Sequence, residues 1–175
     1  METDLIQRLS AGNALYRGDG DDARRLDAAR NGQHPYAVVV CCSDSRVIPE
    51  RIFHAGIGDL FVVRVAGNVI GRHALGSIAY ATEHLGCRGV VVLGHTGCGA
   101  VEAALSGHAE GYIADLVDAI KDAIGAARDP LAACEANVRA GVGTVRRALN
   151  GDAVSVYGAI YDTAAGAVRW LSEGV

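Results

Sequence analysis

Ala37-Val38-Val39-Val40-Cys41-Cys42-Ser43-Asp44-Ser45-Arg46 is an apolar run that ends in two thiols, a carboxylate and a guanidinium. The run does not alternate polar with apolar residues, which is typical of a strand buried on both faces of a parallel sheet. A similar run at residues 89–93 leads into Gly94-His95-Thr96-Gly97-Cys98, and two more lie at residues 60–65 and 153–160. The four runs predict four buried strands.

Helical patterns separate these predicted strands. Apolar residues recur at steps of three and four within residues 75–85, 113–124 and 131–149, and a short helix is expected from Ala100 to Leu105. Strands that alternate with helices predict an α/β fold with a mainly parallel sheet flanked by helices. Ligands of such sheets bind beyond the carboxyl ends of the strands, which is where both polar clusters lie.

The length and composition are those of one domain over residues 1–175. Half of the 175 residues are hydrophobic, so the chain buries a sizeable core. Residues 1–32 precede the first predicted strand and have few large apolar residues. They predict an N-terminal helical arm, two helices joined by a loop at residues 18–22. This arm either packs on a partner subunit or forms a plain pair of surface helices.

Charge and hydropathy exclude several classes of protein. A net charge of -4 with scattered arginines disfavours nucleic acid as a partner, because phosphate binding needs a concentrated positive surface. No run approaches the roughly 18 apolar residues of a membrane span, and the N-terminus lacks the apolar core of a signal peptide. We therefore expect a cytoplasmic protein that does not bind membranes. Five cysteines without a regular framework favour metal binding or free thiols over disulfides.

The two polar clusters together offer a zinc site. Two thiols and one imidazole, from Cys42, His95 and Cys98, form a ligand set that suits Zn²⁺. Cys41 and Cys42 point to opposite faces of a strand, so only one of them can meet the metal. Three ligands leave a tetrahedral ion one position short, and the nearby Asp44 either fills it or leaves it free. Taken alone, His95-x-x-Cys98 also fits an ordinary strand-to-helix turn.

Further residues of the two clusters fit this site. Cys98 lies near a predicted helix N-terminus, which favours a thiolate. The glycines at positions 94, 97 and 99 are expected to let the backbone approach a metal and adopt positive φ. Asp44 and Arg46 project to the same side of an extended segment, which makes a bidentate pair feasible. The same pair also fits a loop salt bridge without catalytic meaning.

Other chemistries fail on spacing. Four residues separate Cys41 from Arg46 and three separate Cys42 from it, which is shorter than the spacing in cysteine-dependent phosphatases. The chain has no Cys-x-x-Cys motif of the thioredoxin type. Gly56-Ile57-Gly58 lacks the third glycine and the following helix of a dinucleotide-binding loop.

The residues of the two polar clusters resemble those of a known family. Cys42-x-Asp44-x-Arg46 with His95-x-x-Cys98 is similar to the zinc site of the β-class carbonic anhydrases. The resemblance covers roughly residues 5–170 and includes the segments Phe61-Val62-Val63-Arg64, Ala66-Gly67-Asn68, Gly76-Ser77-Ile78, Tyr80-Ala81, Val92-Leu93-Gly94-His95 and Tyr157-Gly158-Ala159-Ile160-Tyr161-Asp162.

This resemblance implies an activity and a role for each site residue. Cys42, His95 and Cys98 would hold Zn²⁺, and a zinc-bound hydroxide would hydrate carbon dioxide reversibly to bicarbonate and a proton. Asp44 would orient the hydroxide while Arg46 holds the Asp44 carboxylate off the metal. In a closed state, Asp44 would become the fourth ligand. The resemblance also implies at least a homodimer, or a dimer of dimers, with each active site near the interface.

Two alternatives to carbon dioxide hydration stay open on the sequence. Relatives hydrolyse carbonyl sulfide or carbon disulfide with a similar zinc site, and the sequence does not display the width of the pocket that would separate these substrates. The second alternative is a non-catalytic zinc protein with Asp44 as a fixed fourth ligand. The presence of Arg46 argues against it, because a structural site needs no partner to pull the carboxylate away.

Overall fold

The computed structural model describes residues 2–18, 20, 22–107, 109–149 and 153–172, and its centre is a sheet of five strands within these segments. The strands are β1 (Ala37–Cys41), β2 (Leu60–Arg64), β3 (Gly89–His95), β4 (Ser155–Tyr161) and β5 (Val168–Trp170). They lie in the order β2-β1-β3-β4-β5.

The first four strands are parallel, which confirms the predicted mainly parallel sheet. In β1 and β3, Val38 lies opposite Val90 and Cys41 opposite Leu93, so both strands end at the same edge. β5 was not predicted. It is three residues long and antiparallel to β4, and so short a segment leaves no periodic signal in the sequence.

Helices surround the sheet as the patterns predicted, with two additions. They are α1 (Glu2–Gly18), α2 (Asp22–Asn31), α3 (Pro49–Ile52), α4 (Arg72–Glu83), α5 (Gly99–Ser106), α6 (Tyr112–Ile124) and α7 (Pro130–Leu149), and a 3₁₀ turn spans Ala66–Asn68. The sequence did not predict α3 or the 3₁₀ turn, since neither exceeds four residues. Within the described segments no helix is long and apolar enough to cross a membrane.

The two faces of the sheet are covered unequally. The larger apolar cluster joins one face, with Val38 and Val40 of β1, to α4, α5, α6 and α7. A smaller cluster around Val39 and Leu93 covers the other face. Cys42 belongs to the larger cluster and Cys41 to the smaller one, so the two adjacent thiols face opposite ways, as expected.

The prediction that every strand is buried on both faces is wrong for β2 and for part of β4. All of β2 is half-buried or exposed, because it is an edge strand with a neighbour on one side only. In β4, Ser155 and Tyr157 are exposed, since the smaller cluster does not extend over that end. A continuous apolar run shows that a strand belongs to a sheet and does not show its place in the order.

The N-terminal arm is helical, with residues 1, 19 and 21 of the predicted arm and loop lying outside the described residues. Arg24 of α2 donates through both terminal guanidinium nitrogens to the Asp59 carboxylate, each at 3.2 Å, and so joins α2 to the loop before β2. In α1, Leu5, Ile6 and Leu9 are each about 60% exposed. Whether the arm packs on a partner subunit stays a prediction.

Candidate metal centre

Two parallel strands bring the three predicted ligands together. Cys42 directly follows β1, His95 is the last residue of β3, and Cys98 is the N-cap of α5. Because β1 and β3 are neighbours, their carboxyl ends deliver these side chains to one point. One ligand atom from each residue lies within 4.8 Å of the other two, and all three residues are buried.

The histidine presents one ring nitrogen to this cluster. His95 Nδ1 lies 3.0 Å from the carbonyl oxygen of Thr96, which fixes the ring through a hydrogen bond. His95 Nε2 is buried and has no hydrogen-bond partner in the part of the chain that the structure describes. A buried nitrogen without a partner is costly, and a metal ion in the cluster would satisfy it. The donor set therefore fits a thiolate- and imidazole-binding cation.

The hydrogen bond between the two thiols of the cluster shifts their pKa values in opposite directions. The hydrogen bond from Cys98 lowers the pKa of Cys42 to about 3, against the opposing effect of burial, and the backbone N–H groups of Asp44 and Gly67 lower it further. The same hydrogen bond, together with burial, raises the pKa of Cys98. The geometry thus already stabilises a thiolate at Cys42.

The three remaining cysteines are buried free thiols of a different kind. Burial raises the pKa of Cys41 to about 12 and that of Cys134 to about 11, and burial also raises the pKa of Cys87. These thiols stay protonated at neutral pH and behave as small apolar side chains. The two kinds of cysteine are separated by environment, which the sequence alone does not display.

Asp44 and Arg46 form a bidentate pair beside the cluster. Arg46 donates from Nε to Asp44 Oδ1 at 3.0 Å and from a terminal nitrogen to Oδ2 at 2.7 Å, and the Arg46 backbone N–H donates to Oδ1 at 2.9 Å. These hydrogen bonds hold the pKa of Asp44 well below its usual range. Asp44 Oδ2 also lies 4.0 Å from His95 Nε2, so an ionised carboxylate borders the cluster of Cys42, His95 and Cys98.

Two arginines hold the loops of the predicted ligands in place. Arg46 donates to the carbonyl oxygen of Gly97 at 3.0 Å and thereby ties the Asp44 segment to the loop of Cys98. Arg64, at the end of β2, donates to the carbonyl oxygens of Cys42 and Asp44 at 3.2 and 2.7 Å. The sequence does not predict a role for Arg64 at the cluster, because its partners are backbone carbonyl oxygens and a sequence motif shows only side chains.

The glycines around the second cluster have different functions from those expected. Gly97 has φ of 63°, as predicted. Gly94 and Gly99 do not have positive φ. A Cβ at Gly94 would lie 2.6 Å from Val138 Cγ2 of α7, so Gly94 serves the packing of a helix against the sheet. The expectation of positive φ at positions 94 and 99 was wrong, because glycine-rich turns look alike in sequence whether they need a positive φ, space for a neighbour or neither.

A fourth segment, the 3₁₀ turn, reaches the cluster through its backbone. Gly67 donates its N–H to Cys42 Sγ at 3.2 Å, and the Asp44 N–H lies 3.4 Å from the same sulfur. Gly67 has φ of 64° and ψ of 20°, the left-handed region that favours glycine. A Cβ there would lie 2.6 Å from Ile120 Cδ1 and 3.1 Å from Ala100 Cβ.

We predict that Gly67→Ala lowers the free energy of unfolding by about 3 kcal/mol. About 1–2 kcal/mol comes from the left-handed backbone and the rest from overpacking against α5 and α6. Urea denaturation of the metal-free protein measures it. Gly76→Ala is the matched control: Gly76 is helical and exposed with nothing near its Cβ position, so alanine should stabilise by about 0.5–1 kcal/mol. Equal stability of the two variants would contradict the role assigned to Gly67.

Comparison with known proteins identifies the family. The family model described as carbonic anhydrase matches residues 37–168, a range that contains the whole cluster and the Asp44–Arg46 pair. The structure superimposes on the β-carbonic anhydrase CafA of Aspergillus fumigatus with a TM-score of 0.86 and 27% identity, over 97% of this chain and 92% of that one. The chain belongs to the β-carbonic anhydrase family.

Other family members show how far the similarity extends. Carbonic anhydrase 2 of Mycobacterium tuberculosis is 44% identical over 123 residues, which is 67% of this chain and 58% of that protein. One of two tetrameric β-carbonic anhydrases from Sordaria macrospora gives a TM-score of 0.83 at 25% identity, over 98% of this chain and 99% of that one. The chain thus spans somewhat more than half the length of the curated β-carbonic anhydrase relative.

Proposed function

We propose that this protein binds Zn²⁺ through Cys42, His95 and Cys98 and catalyses the reversible hydration of carbon dioxide to bicarbonate and a proton. The observation that carries the proposal is the buried cluster of two thiols and an unpartnered imidazole nitrogen, with an ionised carboxylate 4.0 Å from that nitrogen. Membership of the β-carbonic anhydrase family supports the same reaction.

The donor set explains why zinc is the proposed metal. Two thiolates and a neutral imidazole offset the charge of a divalent ion and suit its borderline softness. When bound, zinc supplies the Lewis acidity that makes water a nucleophile near neutral pH. Burial of all three ligands keeps competing water away from the sulfurs and strengthens electrostatic interactions at the site.

Asp44 and Arg46 are proposed to prepare the nucleophile. Asp44 is ionised at neutral pH, as an aspartate ordinarily is, and the hydrogen bonds from Arg46 lower its pKa further. Its carboxylate therefore accepts a hydrogen bond and aims the attacking oxygen. Arg46 donates hydrogen bonds to both carboxylate oxygens of Asp44 and so holds the Asp44 side chain away from the metal ligands. Without that contact, Asp44 would be free to join Cys42, His95 and Cys98 in holding the metal, and the site would be closed.

Stopped-flow measurement of carbon dioxide hydration by the zinc-loaded protein tests the proposal. We expect hydration well above the buffer rate between about pH 6 and about pH 9. A buffer-level rate over that range would overturn it. The same preparation is then assayed with carbonyl sulfide and carbon disulfide. Hydrolysis of either without hydration of carbon dioxide would assign the alternative substrate, and no turnover with zinc bound would indicate a structural metal site.

We also propose that the protein is at least a homodimer in which α1 packs on the partner subunit. Leu5, Ile6, Leu9 and Tyr16 recur at spacings that place them on one face of α1, and each is 47% exposed or more. An apolar helix face of this kind marks an interaction surface. The tetrameric family members from Sordaria macrospora are consistent with such contacts.

Leu9→Lys should weaken the dimer. Burial of one leucine contributes about 2 kcal/mol. Because a homodimer buries two copies of Leu9, the loss is about 4 kcal/mol, which is about 1,000-fold in the dissociation constant, and a lysine in its place adds a desolvation cost. Light scattering at a series of protein concentrations measures the shift toward monomer. Gln7→Lys is the matched control, because Gln7 is exposed on the opposite side of α1. A shift of the same size in both variants would argue against the proposed face.

A further inference from the structure

Asn137 is a buried polar residue on a helix face whose other buried residues are apolar and pack in the core. The buried residues of α7 are Ala133, Cys134, Asn137, Val138 and Val145, and Asn137 is 6% exposed. An amide in such a place loses its hydration and needs a polar partner. Its Nδ2 donates to the carbonyl oxygen of Gly67 at 2.8 Å, and this hydrogen bond is itself buried.

Gly67 connects this amide to the metal centre. The carbonyl oxygen of Gly67 accepts from Asn137, and the N–H of the same residue donates to Cys42 Sγ at 3.2 Å. The left-handed backbone of Gly67 lets one residue make both contacts. The chain of hydrogen bonds runs from α7 through the 3₁₀ turn to the sulfur that the family resemblance and the geometry assign as a ligand.

From this geometry we propose that Asn137 is a positioning residue for the metal centre, which holds the Gly67 N–H on the Cys42 thiolate. A hydrogen bond from N–H withdraws electron density from sulfur. It therefore reduces the electron donation from the Cys42 sulfur to the metal, and it also fixes the position of that sulfur. The side-chain hydrogen bond of Asn137 goes to Gly67 and not to a residue of the metal-binding cluster. The proposal rests on the metal site of the proposed function, and it does not depend on which substrate is turned over.

Replacement of Asn137 by leucine removes the donor and keeps a similar volume. We expect the Asn137→Leu protein to bind Zn²⁺ about 10- to 100-fold more weakly in competition with a chelator. With Co²⁺ in place of zinc, we expect the thiolate-to-cobalt charge-transfer band to move to lower energy, because a sulfur without the Gly67 hydrogen bond is more electron-rich. A merely structural role for Asn137 would leave the position of that band unchanged.

Thr144→Val is the matched control on the same helix. It removes a hydrogen bond from a side chain of α7 to the Ala140 carbonyl oxygen and leaves the Gly67 contact in place. We expect its zinc affinity and cobalt spectrum to equal those of the unaltered protein. If Asn137→Leu does not fold, as judged by circular dichroism, the same two measurements on Asn137→Ala decide the question.

The outcomes separate this proposal from the proposed function. A variant at position 137 with an unshifted cobalt band, or with zinc affinity within about twofold of that of the unaltered protein, would overturn the role of Asn137. So would a control that changes as much as the variant. An unaltered protein that binds both metals and does not hydrate carbon dioxide would overturn the proposed activity and leave the role of Asn137 intact. Failure to bind either metal would overturn both.

Discussion

Cys42→Ser should remove zinc binding and, with it, all measurable hydration of carbon dioxide. A serine hydroxyl is not ionised at neutral pH and is a harder donor than a thiolate, so it does not replace the sulfur. It also leaves His95 and Cys98 as two ligands, which is fewer than any catalytic zinc site has. The metal content after dialysis and the stopped-flow rate at saturating carbon dioxide measure both effects.

Cys41→Ser is the matched control, since the chain places a second cysteine directly beside the first. Cys41 belongs to the apolar cluster on the opposite face of the sheet, and burial keeps its thiol protonated by raising its pKa to about 12. We expect this variant to keep its zinc and its activity, at a cost of about 1–3 kcal/mol in stability for burying a hydroxyl. Zinc retained by Cys42→Ser and lost by Cys41→Ser would exchange the assignment of the two residues.

The sequence predicts the fold and the metal cluster for related reasons. The apolar, β-branched runs at residues 37–42 and 89–93 are typical of strands inside a parallel sheet, and parallel strands bring their carboxyl ends to one edge. Cys42, His95 and Cys98 lie at or just beyond those ends, so they can meet if the two strands are neighbours, and the family resemblance names the same three residues as ligands. The order of the strands does not follow in this way, because β2 looks as apolar as β1 and yet lies at an edge.

The sequence does not display those contacts of the site that are made through the backbone. Arg64 acts on carbonyl oxygens, and Gly67 acts through its N–H, so neither interaction depends on a recognisable pair of side chains. Asn137 left one signal, an amide within the apolar periodicity of residues 131–149. A polar residue on a buried helix face has to have a partner, although only the three-dimensional structure identifies Gly67 as that partner.

Asp44→Asn should lower kcat/KM for carbon dioxide by about 10²- to 10⁴-fold while the zinc content is unchanged. The asparagine keeps the shape of the side chain and loses the charge that accepts and aims a proton, and positioned proton-accepting groups contribute about this factor. Its amide group would also face the donors of Arg46, so the bidentate contact at 2.7 and 3.0 Å is lost. Stopped-flow kinetics and metal analysis of one preparation test this. Activity within about tenfold of the unaltered protein would remove Asp44 from the reaction.

Arg46→Gln separates the two roles proposed for Asp44, because it keeps the carboxylate and removes its restraint. Arg46 donates to both oxygens of Asp44 and to the Gly97 carbonyl, so without it Asp44 is free to occupy the fourth position on the metal. In the cobalt-substituted protein, thiocyanate should then no longer perturb the visible spectrum, since no position is open to it. The double variant with Asp44→Asn should respond to thiocyanate again and stay inactive, because the open position returns without the carboxylate that aims the nucleophile. An anion response in Arg46→Gln alone equal to that of the unaltered protein would mean that Arg46 does not keep the site open.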